Sequence, residues 1–393
     1  MPFNGLATYD NFAGIGEDIS DLVAFLAPFE TPLLEVVGAG DQPATNVKHE
    51  WLEDSLNPTT DVASTAVASA TGAGVLTVAH PGYFRVGDLV QFDKEAMLVT
   101  AVSDVSTIGV TRGYGATAAA AHNAGATITI IGNAALEGED TDEDRTTRQV
   151  RKANYCQIMK VGVKISGTAQ AVGWVTTGDK LADAKVMRLR ELLRDLEKTI
   201  LLGRTDVATI GSDTARRTMA GIVCSLSTNV VSAGTLTESA LGNLLLSCYN
   251  QGSRDVDLIA APPKQKRIIS SWNNSRIHVT NDANAYRNVV EIYESDFGSQ
   301  RVVMNRWLPD DTVLALDSSR IKVVPLAGRS FRYEELSKGG DYVRGQIVGE
   351  YTVELRNENA HGLLQGLAYC DPQITQIGTD CGSANAPSRN GRR

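Results

Sequence analysis

The sequence has no long apolar run, no excess of cationic residues and no cysteines at metal-binding spacing. No stretch approaches the ~18 consecutive apolar residues that a membrane span requires. The segment 1–10 also lacks the basic start and apolar block of a signal peptide. The 37 Lys and Arg residues are outnumbered by 46 Asp and Glu residues, which disfavours a main task of gripping nucleic acid. We therefore expect a protein that is made in a cytoplasm and has no membrane contact.

The five cysteines are scattered and odd in number, and no two of them form a C-x-x-C pair. They are Cys156, Cys224, Cys248, Cys370 and Cys381. This arrangement disfavours both a zinc site and a disulfide framework. We expect reduced thiols, most of them buried.

Motifs that would indicate catalysis or a cofactor are also missing. The sequence contains no G-x-x-x-x-G-K-[ST], no G-x-S-x-G and no H-E-x-x-H. The acidic series Asp140, Asp142 and Asp144 has the opening spacing of an EF-hand, but Arg145 and Arg151 stand where the loop needs Gly and a bidentate Glu. The sequence predicts no catalytic residue, no metal site and no cofactor.

Small residues and turn signals dominate one internal segment. Residues 63–132 have few charges, and Gly87, Gly113, Gly115 and Gly125 separate short β-prone stretches. The predicted strands are 75–78, 88–92, 96–102, 108–112 and 127–131. They indicate a small antiparallel barrel or sandwich inserted as a unit. Such a module could decorate a surface, present a binding face or act as a spacer, and the residues do not separate these roles.

The strongest helix signal covers residues 181–202, where Leu189, Leu192, Leu193 and Leu196 recur at three- and four-residue steps. Gly203 follows as a plausible stop. Helices are also expected at 18–26, 238–250 and 264–273, and strands at 47–54, 157–166, 257–261, 299–305, 312–317 and 351–356. Pro28 and Pro32 are expected to break the first helix, and the tail 382–393 to be disordered. The fold class is α+β.

The sign of the charge reverses abruptly after residue 144. An acidic run, 137–144, is followed by basic residues, which indicates an exposed hairpin or extended loop. Such opposite charges could pair between identical loops on neighbouring copies, or the loop could be solvated, with pairing inside the chain or none. The predicted subunit-interface residues are Asp140, Asp142, Asp144, Arg145, Arg148, Arg151 and Lys152.

Four stretches resemble the major head proteins of tailed double-stranded DNA phages with the Hong Kong 97-type fold. They begin at Thr31-Pro-Leu-Leu with Val47-Lys-His-Glu-Trp, at Asn154-Tyr-Cys-Gln-Ile, at Arg190-Glu-Leu-Leu-Arg and at Tyr293-Glu-Ser-Asp-Phe-Gly. The last stretch continues through Asn305-Arg-Trp to Gly349-Glu-Tyr-Thr-Val. Their order carries the resemblance, and the insertion at 63–132 belongs to it less securely.

The resemblance implies an organisation of arm, loop and two domains. Residues 1–45 would be the N-terminal arm and 46–170 the extended-loop region, enlarged by the β insertion. Residues 171–215 and 318–370 would form the peripheral domain with the spine helix at 181–202, 216–317 the axial domain, and 371–393 a tail.

The resemblance also implies a structural role. The chain would self-assemble into pentamers and hexamers of an icosahedral head enclosing a double-stranded DNA genome, within the virion and assembled in the host cytoplasm. Scaffold, portal and decoration proteins are possible partners, and packaged DNA would be contacted non-specifically. The alternatives are another virion part, such as a tail tube or a decoration protein, and an enzyme with a scattered site.

Overall fold

The computed structural model describes residues 31–38, 40, 42–69, 72–103, 105–138, 147–171, 180–205, 211–212, 214–253, 256–272, 292–337 and 339–368. The predicted helix at 18–26 and the tail lie outside these ranges. The chain divides into two compact units, one of Met1–Trp51 with Lys152–Arg393 and one of Leu52–Arg151.

The described helices are α1 (Pro32–Val37), α2 (Gly167–Ala171), α3 (Lys180–Leu202), α4 (Ile222–Ser225), α5 (Glu238–Asn250) and α6 (Pro263–Trp272). The strands before α2 are β1 (Lys48–Glu53), β2 (Thr60–Val62), β3 (Gly72–Thr77), β4 (Asp88–Phe92), β5 (Glu95–Val102), β6 (Thr107–Arg112), β7 (Thr127–Asn133), β8 (Val150–Tyr155) and β9 (Gln157–Ser166). Those after α3 are β10 (Val230–Ser232), β11 (Leu258–Ala261), β12 (Ile292–Ser295), β13 (Gly298–Met304), β14 (Val313–Leu316), β15 (Ile321–Pro325), β16 (Arg332–Leu336), β17 (Tyr342–Leu355) and β18 (Gly362–Gln365). None of the helices described here is long and apolar enough to cross a membrane.

The unit of Leu52–Arg151 contains a closed β-barrel. Its six strands pair in the order β2-β7-β4-β5-β6-β3, and an antiparallel bridge between Ala63 and Val78 joins the two ends of the sheet. Alternate residues point inwards, as in β6, where Ile108, Val110 and Arg112 are buried. The five strands predicted for 75–131 are confirmed within a few residues, and the choice between barrel and sandwich is settled as a barrel.

The larger unit is built on two sheets. One has the order β10-β18-β14-β11-β13-β12, and β11 and β14 are buried along their whole length. In the other, the long strand β17 pairs with β9 on one side and with both β16 and β15 on the other. The strands β1 and β8, which run across the two points where the chain divides, pair in a short sheet of their own.

The predicted spine helix is confirmed as α3, with 23 residues. Leu192, Leu196 and Ile200 pack in one core with residues of β9 and β17. The helix ends at Gly203, whose amide donates to the carbonyl of Thr199 at 2.8 Å. A Cβ at Gly203 would lie 2.4 Å from that oxygen, so glycine is required there.

The predicted break of the first helix at Pro28 and Pro32 stays a prediction, because residues 18–26 and Pro28 lie outside the described ranges. Pro32 occupies the first position of α1, where a missing N–H costs nothing and the fixed φ suits a helix. The strand prediction of 351–356 was too short, because the observed strand β17 begins at Tyr342.

The thiols follow the expectation where they are described: Cys156 and Cys248 are buried and Cys224 is exposed.

Candidate assembly surfaces

The predicted charged interface residues are only partly within the described chain. Asp140, Asp142, Asp144 and Arg145 lie outside it, whereas Arg148, Arg151 and Lys152 are exposed on and just before β8. The hydroxyl of Thr147 donates to the carboxylate of Asp54 at 2.8 Å, which ties together the two segments that flank the barrel. The three basic side chains thus follow one another along a strand that solvent reaches.

Exposed apolar side chains lie in the same flanking segments. Leu56 is 94% exposed and Leu136 is 78% exposed, and Leu52 and Val150 are more than half exposed. An isolated exposed leucine is ordinary, but four in two short segments indicate a contact surface. Sequence reasoning missed them, although the alternating exposure of β1 follows from its alternating sequence.

The spine helix α3 changes character along its length. Towards its C-terminal end Leu192, Leu196 and Ile200 are buried, but in the N-terminal half Val186, Met187 and Leu189 are exposed. The periodicity of the sequence predicted one apolar face and did not distinguish the covered part from the open part. The open part is a second apolar surface.

An ionic cluster lies inside the barrel. The carboxylate of Glu95 accepts hydrogen bonds from Arg112, from the His122 ring and from the amides of Gly113 and Ala120. Burial alone would raise the pKa of Glu95, but these donors outweigh it and lower the pKa to about 2. The cluster fixes the loop 113–122 to the barrel wall.

Within the described ranges, no group of three or more His, Cys, Asp or Glu side chains is arranged to hold a metal ion. The two buried thiols are unreactive in character, because burial raises the pKa of Cys156 and of Cys248 to about 11.

Comparison with known proteins identifies the fold. The capsid of a native GTA particle superposes with a TM-score of 0.53 at 10% identity, covering 92% of this chain and 99% of that chain. The structure titled Microbacterium phage Oxtober96 gives 0.50 at 10% identity, covering 91% and 98%. A major capsid protein of Escherichia phage Phieco32 is 26% identical over 286 residues, which are 59% of this chain and 80% of that protein.

The fold is of the Hong Kong 97 type, which the chain shares with these structures. The family model described as SU10 major capsid protein matches residues 3–368, and the chain belongs to that family. It is a phage major capsid protein and a component of the virion. The family decides against the tail-tube and decoration-protein alternatives.

Proposed function

We propose that the chain assembles into hexamers and pentamers that close into an icosahedral head around double-stranded DNA, and that it has no enzymatic activity. The observation that carries the proposal is the exposure of apolar side chains on the two segments that flank the barrel and on the open half of α3. In an isolated subunit these side chains would remain in water, whereas a neighbouring copy can cover them.

The domain organisation forms part of the proposal. Residues 1–45 serve as the arm, 46–170 as the extended loop with the barrel inserted at 63–132, 171–215 with 318–370 as the peripheral domain, 216–317 as the axial domain and 371–393 as the tail. The division of the chain at Leu52 and Arg151 supports a separate barrel-bearing segment.

The contact proposed between copies has an apolar and a charged part. Leu52, Leu56 and Val150 of one copy would pack on the open half of α3 in another. Around them, the acidic residues Asp140, Asp142 and Asp144 would pair with basic residues of a second copy. These basic residues are Arg145, Arg148, Arg151 and Lys152. The exposure of the last three supports this pairing. Apolar burial provides most of the free energy at about 25 cal/mol per Å², while each exposed ion pair adds ~0–1 kcal/mol and helps to set the register.

Partners outside the shell belong to the same proposal. A scaffold, a portal and decoration proteins would meet shell surfaces, and packaged DNA would be contacted without sequence specificity. Assembly would take place in the host cytoplasm.

Electron microscopy of the purified full-length protein, with and without a scaffold from its own phage, tests the role. Closed shells with hexamers and pentamers are expected, and tubes or compact trimers would contradict it. The apolar contact is tested by Leu56→Asp, which should reduce the yield of shells. Val105→Asp is the matched control, because Val105 is a similarly exposed apolar residue of the barrel, 85% against 94%. Equal yields from both variants would remove Leu56 from the contact.

A further inference from the structure

A glutamate of the spine helix is fully buried. Glu197 has 0% exposure, although Asp195 two positions earlier is exposed and Lys198 is only partly covered. Its neighbours on the buried face are Leu196 and Ile200. A carboxylate in such surroundings costs several kcal/mol unless it is hydrogen-bonded, so its partners explain why it is there.

The partners of Glu197 come from two distant parts of the chain. Its Oε1 accepts from the amide of Leu33 at 3.0 Å and from Nδ2 of Asn305 at 2.7 Å, and its Oε2 accepts from the amide of Leu34 at 3.0 Å. Leu33 and Leu34 lie in the first turn of α1, where amides have no carbonyl partner within the helix. The carboxylate therefore satisfies the start of α1.

The third donor is held in place independently. Asn305 Oδ1 accepts from the amide of Trp307 at 2.9 Å, so the NH₂ group must face Glu197, and the backbone amide of Asn305 donates to Ala261 at 2.8 Å. Nowhere in the described chain does a Lys, Arg or His form an ion pair with Glu197. Three neutral N–H donors converge on it, and three segments meet at one side chain.

Packing alone would not select a glutamate at this position. Burial raises the pKa of Glu197, and although the hydrogen bonds from Leu33, Leu34 and Asn305 act in the opposite direction, the pKa stays above its ordinary value. An apolar side chain would avoid that cost but would leave two backbone amides and an amide side chain buried without acceptors. The carboxylate is suited to holding α1 at a fixed place on α3.

We infer that Glu197 is a positioning residue that anchors α1 to the spine helix and so fixes the point from which residues 1–30, the part of the N-terminal arm before α1, extend. The inference rests on the proposed function, because a fixed junction matters when an arm must reach a defined place on a neighbouring copy. An arm with a loose junction samples more positions, and its contact with the neighbour forms less often.

The test compares full-length Glu197→Gln with wild type by hydrogen–deuterium exchange of the isolated subunit. A glutamine side chain at this position must turn its NH₂ group towards one of the three N–H donors. The side-chain amide of Asn305 cannot flip to accept from it without losing the hydrogen bond from the Trp307 amide. We expect the α1 amides to exchange about tenfold faster, as for the loss of one hydrogen bond to a charged group, while β17 amides keep their protection. Shell yield should fall below that of Asp195→Asn, a control that removes an exposed carboxylate from the same half of the helix.

Two results would overturn the inference. One is α1 exchange equal to that of wild type, and the other is a uniform loss of protection across β9 and β17, which would make Glu197 a general stability residue. If Glu197→Gln does not fold, Asn305→Ala removes one of the three donors and should give the same local pattern more weakly. Failure of the proposed function is separate, since wild type itself would then form no shells.

Discussion

The guanidinium of Arg112 and the carboxylate of Glu95 form a two-pronged ion pair inside the barrel, with 3.0 Å from Nε to Oε1 and 2.7 Å from Nη2 to Oε2. Both side chains are almost completely buried. The guanidinium also donates to the carbonyls of Ala68 and Ala120. The pair thus connects β5 and β6 with the loops on either side, in a module whose apolar core is small.

Removing one member of this pair should destabilise the barrel strongly. Arg112→Met leaves Glu95 as a buried charge with fewer donors, and the expected loss is about 3–5 kcal/mol in the free energy of unfolding. Hydrogen exchange of β5 and β6 amides in the full chain measures it, with β17 amides as an internal reference. Arg85→Met is the control, because Arg85 is partly exposed. Equal protection in the two variants would show that the pair contributes little.

The same pair makes the barrel sensitive to acid. The pKa of Glu95 lies near 2 in the folded barrel, whereas its ordinary value is 4.5. Because the folded value is the lower one, the stabilisation is complete above pH ~4.5 and is lost as the pH falls towards about 2. Exchange of β6 amides at a series of pH values should show this loss, after correction for intrinsic rates, and Glu95→Gln should abolish the dependence.

A second acid-sensitive group lies in the larger unit. His361 is buried, and its Nδ1 accepts from the amide of Asp317 at 3.1 Å. Burial lowers its pKa from 6.5 to about 4. The unfolded chain therefore takes up the proton first, and stability should fall as the pH drops from ~6.5 towards about 4. His361→Asn keeps an acceptor for Asp317 but cannot titrate, so its urea midpoint should vary less with pH in this window. Parallel curves for the two proteins would contradict the assignment.

Local patterns predicted the regular elements well. The spine helix and the barrel strands are confirmed because apolar spacing along a few turns or a few residues decides them. The first half of β17 was missed because Gly345 and Gly349 interrupt the apolar alternation. Both glycines lie under aromatic rings, where a Cβ would come within 2.3 Å of Tyr333 and 2.5 Å of Phe331. Glycine is required at both positions because the segment of β16 packs closely against β17. The local sequence of β17 does not reveal this packing.

In the candidate surfaces too, local sequence patterns predicted some features, while others depend on residues far away in the chain. Charge alternation predicted that the stretch around Arg148 and Arg151 is exposed, and both side chains are. The role of Glu197 was not predictable, since it occurs among charged residues of an amphipathic helix and resembles a surface residue. Its buried position depends on a backbone amide 164 positions away. Whether the acidic and basic residues of the loop pair between copies stays a prediction.

That pairing can be tested by charge reversal. Arg148→Glu with Arg151→Glu should slow shell assembly more than it destabilises the isolated subunit, because both side chains are exposed and exposed pairs contribute little within one chain. Light scattering at low salt measures the rate, and the difference from wild type should shrink near 1 M salt, where the screening length falls to ~3 Å.

The compensating change decides between pairing and a general effect of charge. Adding Asp142→Lys and Asp144→Lys should restore part of the assembly rate, since residues in contact are not additive. Lys94→Glu, a reversal at an exposed residue of the barrel, is the control and should leave the rate unchanged. If the doubly reversed protein assembles at the normal rate in low salt, the loop has no part in subunit contact. If the variant with all four substitutions assembles no faster than the one with only the two arginine substitutions, the basic residues pair with groups other than these two acidic residues.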